Sequence, residues 1–173
     1  MGLAVVLLFD GATTAAVQAL WERLAGADIG TSMLDLGYLP HVTLTVMQNE
    51  GLATALRHKL AQQAWGEVLN LQIGPVDRFE GTDIVWLGCA GDRLRAMQRA
   101  VSGLVAPDEI EPHYRPENWV PHMTLQTSGD AEMALARAAE AWPAQVGARA
   151  EVVELVRFPP VEPIWRATLS ADL

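Results

Sequence analysis

The sequence predicts an α+β fold made of two β-α-β-α-β units. Three observations predict it: strand-like and helix-like periodicities alternate along the chain, that order runs twice, and landmark residues recur at an offset near 80.

Residues 3–9 are a continuous apolar run, far shorter than the roughly 20 residues that cross a membrane, and read as a buried strand. Residues 11–26 follow with Val17, Leu20, Trp21 and Leu24 at helical spacing. The segment 41–47 (HVTLTVM) alternates and is rich in β-branched residues, a strand, and 52–65 carries Leu52, Leu56 and Leu60 on one helical face. Residues 68–79 and 83–89 read as strands separated by the turn-like Glu80-Gly81-Thr82. Asp92 is placed to cap a helix carrying Leu94, Met97, Val101 and Leu104. Pro107, Pro112, Pro116 and Pro121 keep 107–121 from forming a helix, and a loop of that length tends to carry function. A strand at 122–127, an Ala-rich helix at 130–142 and strands at 148–158 and 164–170 complete the order.

The repeat is visible residue by residue. His41 and His122 lie 81 positions apart, Gly11 and Gly91 80, Arg78-Phe79 and Arg157-Phe158 79, and Trp86 and Trp165 79. The expected organisation is one domain over 1–173, repeated as about 1–80 and 81–160. A closing strand in 161–173 replays the opening strand of a unit.

Composition narrows the function. Half the 173 residues are apolar and 19% are charged, which excludes disordered and low-complexity classes. Twelve Lys and Arg face 21 Asp and Glu, and the net charge of −9 repels a long polyanion, so no long nucleic acid is expected as a partner. The lone Cys89 allows no intrachain disulfide and no thiolate metal cluster; it reads as an inert core thiol in a reducing, cytoplasmic setting. No basic residue precedes the short 3–9 run as in a signal peptide, and Val6 stands where a myristoylation motif needs Ser or Thr, so no membrane attachment is expected.

The best-matched pieces of the repeat are Pro40-His41-Val42-Thr43-Leu44 and Pro121-His122-Met123-Thr124-Leu125. On an alternating strand, His41, Thr43 and Thr45 share one face, and His122, Thr124 and Gln126 share the corresponding face. A pseudo-twofold axis relating the units would bring two imidazoles and two threonine hydroxyls around one small volume. Two imidazoles of near-neutral pKa can serve one reaction as base and acid, and threonine hydroxyls can hold anionic oxygens. Placed on opposite sides of a phosphorus, they suit in-line displacement without a metal.

At these residues the sequence resembles the 2H phosphoesterase superfamily, which includes bacterial 2′-5′ RNA ligases and RNA 2′,3′-cyclic phosphodiesterases. That family is named for two His-x-Thr motifs, each followed by a hydrophobic residue, here Leu44 and Leu125. The resemblance covers nearly the whole chain and implies a bilobal α+β fold with mainly antiparallel sheets flanking a central cleft. It also implies a metal-independent enzyme without a cofactor, whose catalytic residues are His41, Thr43, His122 and Thr124. The charge deficit favours a cyclic nucleotide or a short RNA end as substrate over long RNA.

Other residues have two readings each. Tyr38 and Trp119, each three positions before a motif histidine, stack on a base or fill lobe edges as packing. Tyr114 and Arg115, in the proline-rich loop, contact phosphate or ribose or are merely exposed; Thr45 and Gln126 join the substrate surface through the alternation above. Arg78 and Arg157 point to the cleft or pair with surface carboxylates. His58 reads as a solvated helix residue. A zinc site of His41, His113 and His122 would leave the paired threonines without purpose. The expected activity is hydrolysis of a 2′,3′-cyclic phosphate to a monoester, with the 2′-phosphate favoured, by a monomer. The alternatives are 2′-5′ ligation and a non-catalytic nucleotide- or RNA-end-binding module.

Overall fold

A computed structural model of the chain describes residues 1–142 and 144–170; of the expected closing segment, 171–173 lie outside the described residues. The described residues form seven strands: β1 (Gly2–Phe9), β2 (His41–Met47), β3 (Leu69–Arg78), β4 (Val85–Ala90), β5 (His122–Gln126), β6 (Val146–Phe158) and β7 (Glu162–Thr168). They alternate with helices α1 (Gly11–Gly26), α2 (Ser32–Asp35), α3 (Ala53–Ala61), α4 (Leu94–Ser102) and α5 (Ala131–Ala141). The order of strands and longer helices is the expected one, with β7 following β6 as β4 follows β3, and the four-residue α2 is the one additional α-helix among the described residues.

Every strand pairing is antiparallel, in the order β1-β2-β5-β4-β3-β6-β7, and β6 also pairs with β1. Six strands therefore close into a ring, and β7 lies along the part of β6 that β3 leaves open. The 13-residue β6 makes this possible, because residues 146–150 pair with β3 and 152–157 pair with β7.

Helices cover the outer face of the ring. Leu3, Val5, Leu7 and Phe9 of β1 join the main core with Leu20, Trp21, Leu56, Leu60 and Val101. Ala4, Val6 and Leu8 point inward and form a smaller cluster with Val46 and Val156. Both faces of β1 are thus buried, which accounts for its unbroken apolar run. Leu3 and Leu7 are wholly buried, and each contributes about 1.5–3 kcal/mol relative to exposure. The helices cross over: α1 packs against β5, and α4 packs against β2.

Helix starts follow their caps. Asp10 accepts the Thr13 N–H at 2.8 Å to open α1, and Asp130 accepts the Met133 N–H at 2.9 Å to open α5. Asp92, expected to cap α4, does not: Arg93 holds the cap position without a side-chain bond. The proline-rich segment 107–121 contains no α-helix, but Pro107–Glu109 and Pro112–Tyr114 each form a single 3-10 turn. Each begins with proline, where the missing N–H costs nothing.

Candidate active site

The site forms where the two halves of the ring are joined most thinly. Between β2 and β5 there is one residue pair, Val42 opposite Met123, and both side chains are fully buried on the core side. Carried one residue in each direction, that antiparallel register sets His41 against Thr124 and Thr43 against His122. Alternation turns these four side chains to the inner face, where all are half-buried.

Each imidazole is fixed in the same way. His41 Nδ1 lies 2.7 Å from the Leu39 carbonyl oxygen and His122 Nδ1 lies 2.7 Å from the Val120 carbonyl oxygen. A carbonyl can only accept, so Nδ1 carries the proton in both rings and Nε2 is left to exchange protons. The proline between carbonyl and histidine explains the geometry. Pro40 and Pro121 disfavour helical backbone at Leu39 and Val120, which presents each carbonyl to the ring two residues on. Burial holds both imidazoles below the ordinary 6.5. For His41 the Leu39 carbonyl and Glu154 oppose that shift, while positive charge on His122 adds to it.

The backbone behind the motifs is tied across the ring. The Trp119 indole donates to the Thr43 carbonyl at 2.9 Å, and the Trp21 indole donates to the Thr124 carbonyl at 3.2 Å. Gln98 of α4, itself buried, donates to the Leu44 carbonyl at 3.3 Å and the Tyr114 carbonyl at 2.9 Å.

Two expected faces are corrected. In β2 the register to β1 shifts at Leu44, so that Val6 opposes Thr43 but Val5 opposes Thr45. In β5 the register to β4 shifts at Leu125, so that Trp86 opposes Thr124 but Val85 opposes Gln126. Each shift is a bulge that turns the following residue to the core side, where Thr45 and Gln126 are buried against Val5 and Val85. Neither lies on the face of the histidines.

Tyr38 and Trp119, equally spaced before their histidines, go to different places. The Tyr38 ring meets His41 edge-on at 5.2 Å and its hydroxyl donates to Glu154. Burial, with the neighbouring Glu154 second, pushes the Tyr38 phenol up, so it stays a donor. Trp119 is a core residue, 3% exposed, and cannot stack on a bound base. Arg95 lies over its ring, 5.9 Å from the centroid. Tyr114 packs half-buried against the inner cluster near Val46, its phenol pushed up by burial and by the Glu111 charge. Arg115 donates to the Ile110 carbonyl and lines a cavity of about 480 Å³ with Gln48, Asn49 and Glu111, at the Met47 end of β2, away from His41.

Sequence reasoning missed the surroundings of His122. Phe79 lies edge-on to its ring at 5.0 Å, and Trp86 is 6.0 Å from it and 5.3 Å from Phe79. Both residues had marked the repeat, which was a signal of sorts. Glu154 was missed too, although it is the one charge within the apolar VVELV of β6. Arg78 and Arg157 turn outward and pair with Glu132, Glu50 and Glu162. His58 and His113 are exposed, and among the described residues no three His, Cys, Asp or Glu side chains converge to hold a metal ion.

A family model, that of the 2′-5′ RNA ligase superfamily, matches residues 11–158, a span that holds both His-x-Thr strands. The chain belongs to this superfamily. Its fold is shared by solved structures within the 2H phosphoesterase superfamily. Escherichia coli LigT complexed with ATP superposes with a TM-score of 0.62 at 16% identity, covering 97% of this chain and 96% of that one. TT0787 of Thermus thermophilus gives 0.65 at 16% identity over 100% of both chains. A phosphoesterase gives 0.62 at 17% identity over 97% of both. LigT has also been crystallised with NADP+ and with 3′-AMP. No curated protein matches the sequence. Among the described residues of this superfamily member, no helix is long and apolar enough to cross a membrane.

Proposed function

We propose that this protein hydrolyses a 2′,3′-cyclic phosphate, on a nucleotide or a short RNA end, to a 2′-phosphomonoester. The observation that carries the reading is the pair of imidazoles, each with Nδ1 tied to a carbonyl and Nε2 free, flanking the Val42–Met123 pair.

One Nε2 takes a proton from water as its oxygen bonds to phosphorus, and the bond from phosphorus to the ribose 3′-oxygen breaks. The other Nε2, protonated beforehand, gives its proton to that leaving oxygen. After the turnover the two rings have exchanged protonation states, and a proton shift through solvent resets them. The Thr43 and Thr124 hydroxyls donate to the non-bridging oxygens, whose charge rises in the transition state. Each of these steps is assigned to side chains of this chain alone. Phe79 and Trp86 offer a stacking surface for the base beside His122.

The test is product analysis on a panel of 2′,3′-cyclic mononucleotides and cyclic-phosphate-ended oligonucleotides. The reading expects accumulation of the 2′-monoester. Joined product on addition of an RNA 5′-hydroxyl end, without hydrolysis, would favour 2′-5′ ligation, the same displacement with a 5′-hydroxyl in place of water and the 3′-oxygen again leaving. Binding without any turnover over the panel would favour a non-catalytic module.

A further inference from the structure

The two-histidine site is nearly symmetric, but a substrate with a base at one end and a phosphate chain at the other is not. Something on the inner face must set its direction. Phe79 and Trp86 stand on the His122 side. On the His41 side the chain places a different kind of group.

Glu154 is completely buried, the one charge in the apolar stretch 152–156 of β6. It stands opposite Val6 on β1, which stands opposite Thr43 on β2, while on its other edge Arg166 of β7 stands opposite Glu154. The four residues form one rung across the inner face, from the motif threonine to the arginine. Glu154 Oε2 accepts the Tyr38 hydroxyl, and Oε1 accepts Arg166 Nε at 2.7 Å and Nη2 at 2.5 Å.

Burying a carboxylate is costly unless it is paired, and an apolar residue would serve packing at this position as well. What the carboxylate does is hold an exposed arginine side-on. Two of the five guanidinium N–H groups are used on Glu154, which leaves three on a side chain that is 57% exposed. Strands lie about 4.8 Å apart, so a guanidinium folded back over Glu154 is within about 10 Å of Thr43, the span of one ribose and its hydrogen bonds. The other repeat has no counterpart of this pair at the matching positions. At the offset of 79 that relates Arg78 to Arg157 and Trp86 to Trp165, Glu154 corresponds to Pro75 and Arg166 to Leu87.

We infer that Arg166 is a subsite for a second phosphate, the one on the 5′ side of the ribose that carries the cyclic phosphate, with Glu154 and Tyr38 as its positioning residues. The inference rests on the proposed function for the identity of the first phosphate. The preferred substrate is then a 5′-phosphorylated nucleotide or an RNA end, and a nucleoside 2′,3′-cyclic phosphate is a poor one. A guanidinium is the side chain suited to this task, because its planar fork matches a phosphate and its charge does not titrate.

The experiment compares kcat/KM for adenosine 2′,3′-cyclic phosphate with and without a 5′-phosphate, in the full chain and in Arg166→Gln, Arg166→Lys and Glu154→Gln. Wild type should favour the 5′-phosphorylated substrate by about 10- to 100-fold, the worth of charge-assisted hydrogen bonds. Arg166→Gln should bring the ratio near one, Arg166→Lys should keep part of it, and Glu154→Gln should lower it with the arginine intact. An equal loss on both substrates in Arg166→Gln, or no wild-type preference, overturns the subsite. A second arm needs no turnover: calorimetric binding of adenosine 5′-monophosphate against adenosine should show the same increment in wild type and lose it in Arg166→Gln. If that increment appears while neither cyclic substrate is hydrolysed, the subsite stands and the phosphodiesterase reading fails. If hydrolysis is seen without the increment, the subsite fails alone.

Discussion

Val42 of β2 stands opposite Met123 of β5 in the one residue pair that joins β2 to β5 at the candidate active site, and neither side chain has any exposed surface. The position of each histidine relative to the threonine of the other motif depends on this pair. Met123→Ala removes the packing on one side of it and should cost about 2–5 kcal/mol in urea unfolding, whereas Met123→Leu, which keeps the volume, should cost less than about 1.5 kcal/mol. At a temperature where Met123→Ala is still folded, its kcat should fall below that of Met123→Leu.

On the proposed function, the motif threonines act on the charge that develops at phosphorus and not on the proton transfers. Thr43→Val and Thr124→Val keep the strand shape and remove the hydroxyl. Each should lower kcat by about 2–4 kcal/mol in transition-state terms, with the pH profile unmoved. Steady-state kinetics across pH checks both parts.

Trp119 and Trp21 each hold the backbone of one motif threonine through an indole N–H. Trp119→Phe and Trp21→Phe leave a carbonyl short of its donor and should destabilise by about 1–3 kcal/mol on chemical denaturation, with packing losses included. Because each tie ends on a motif strand, both variants should also lower kcat, and neither should alter which product forms.

Much of this site could be read from the sequence, and the reason is duplication. A five-residue pattern occurring twice around two of four histidines identifies His41, Thr43, His122 and Thr124 without any knowledge of packing. Simple alternation failed at the next residue in each strand, because the bulges at Leu44 and Leu125 leave no mark in a sequence whose apolar and polar residues still alternate. Tyr38 and Trp119 were indistinguishable by spacing. One reaches Glu154 across 116 residues and the other enters the core, and only the closed ring decides between them. Glu154 stood out as a charge among valines, but its partners Tyr38 and Arg166 become visible only once β1, β6 and β7 are laid side by side.

The pH dependence follows from burial. Both imidazoles bind a proton less readily than a free one, so the form with one protonated and one neutral ring is populated below the ordinary midpoint of 6.5. As pH rises both rings become neutral and the acid is lost; as pH falls far enough both become charged and the base is lost. The profile of kcat/KM should be a bell with two apparent values belonging to the pair, its maximum below pH 6.5 and its alkaline limb falling tenfold per unit. A maximum above pH 7 would show that the proton-transfer groups are not these two.

The central claim is that His41 and His122 divide one acid–base task. It is tested most directly by measuring the single-turnover hydrolysis rate of a 2′,3′-cyclic mononucleotide in His41→Ala and in His122→Ala, each checked for folding by circular dichroism. Both variants should lose about 10² to 10⁴ in rate, and the double variant should lose little more than the worse of the two, since the pair acts as a unit. A folded single variant that keeps wild-type activity would contradict the claim.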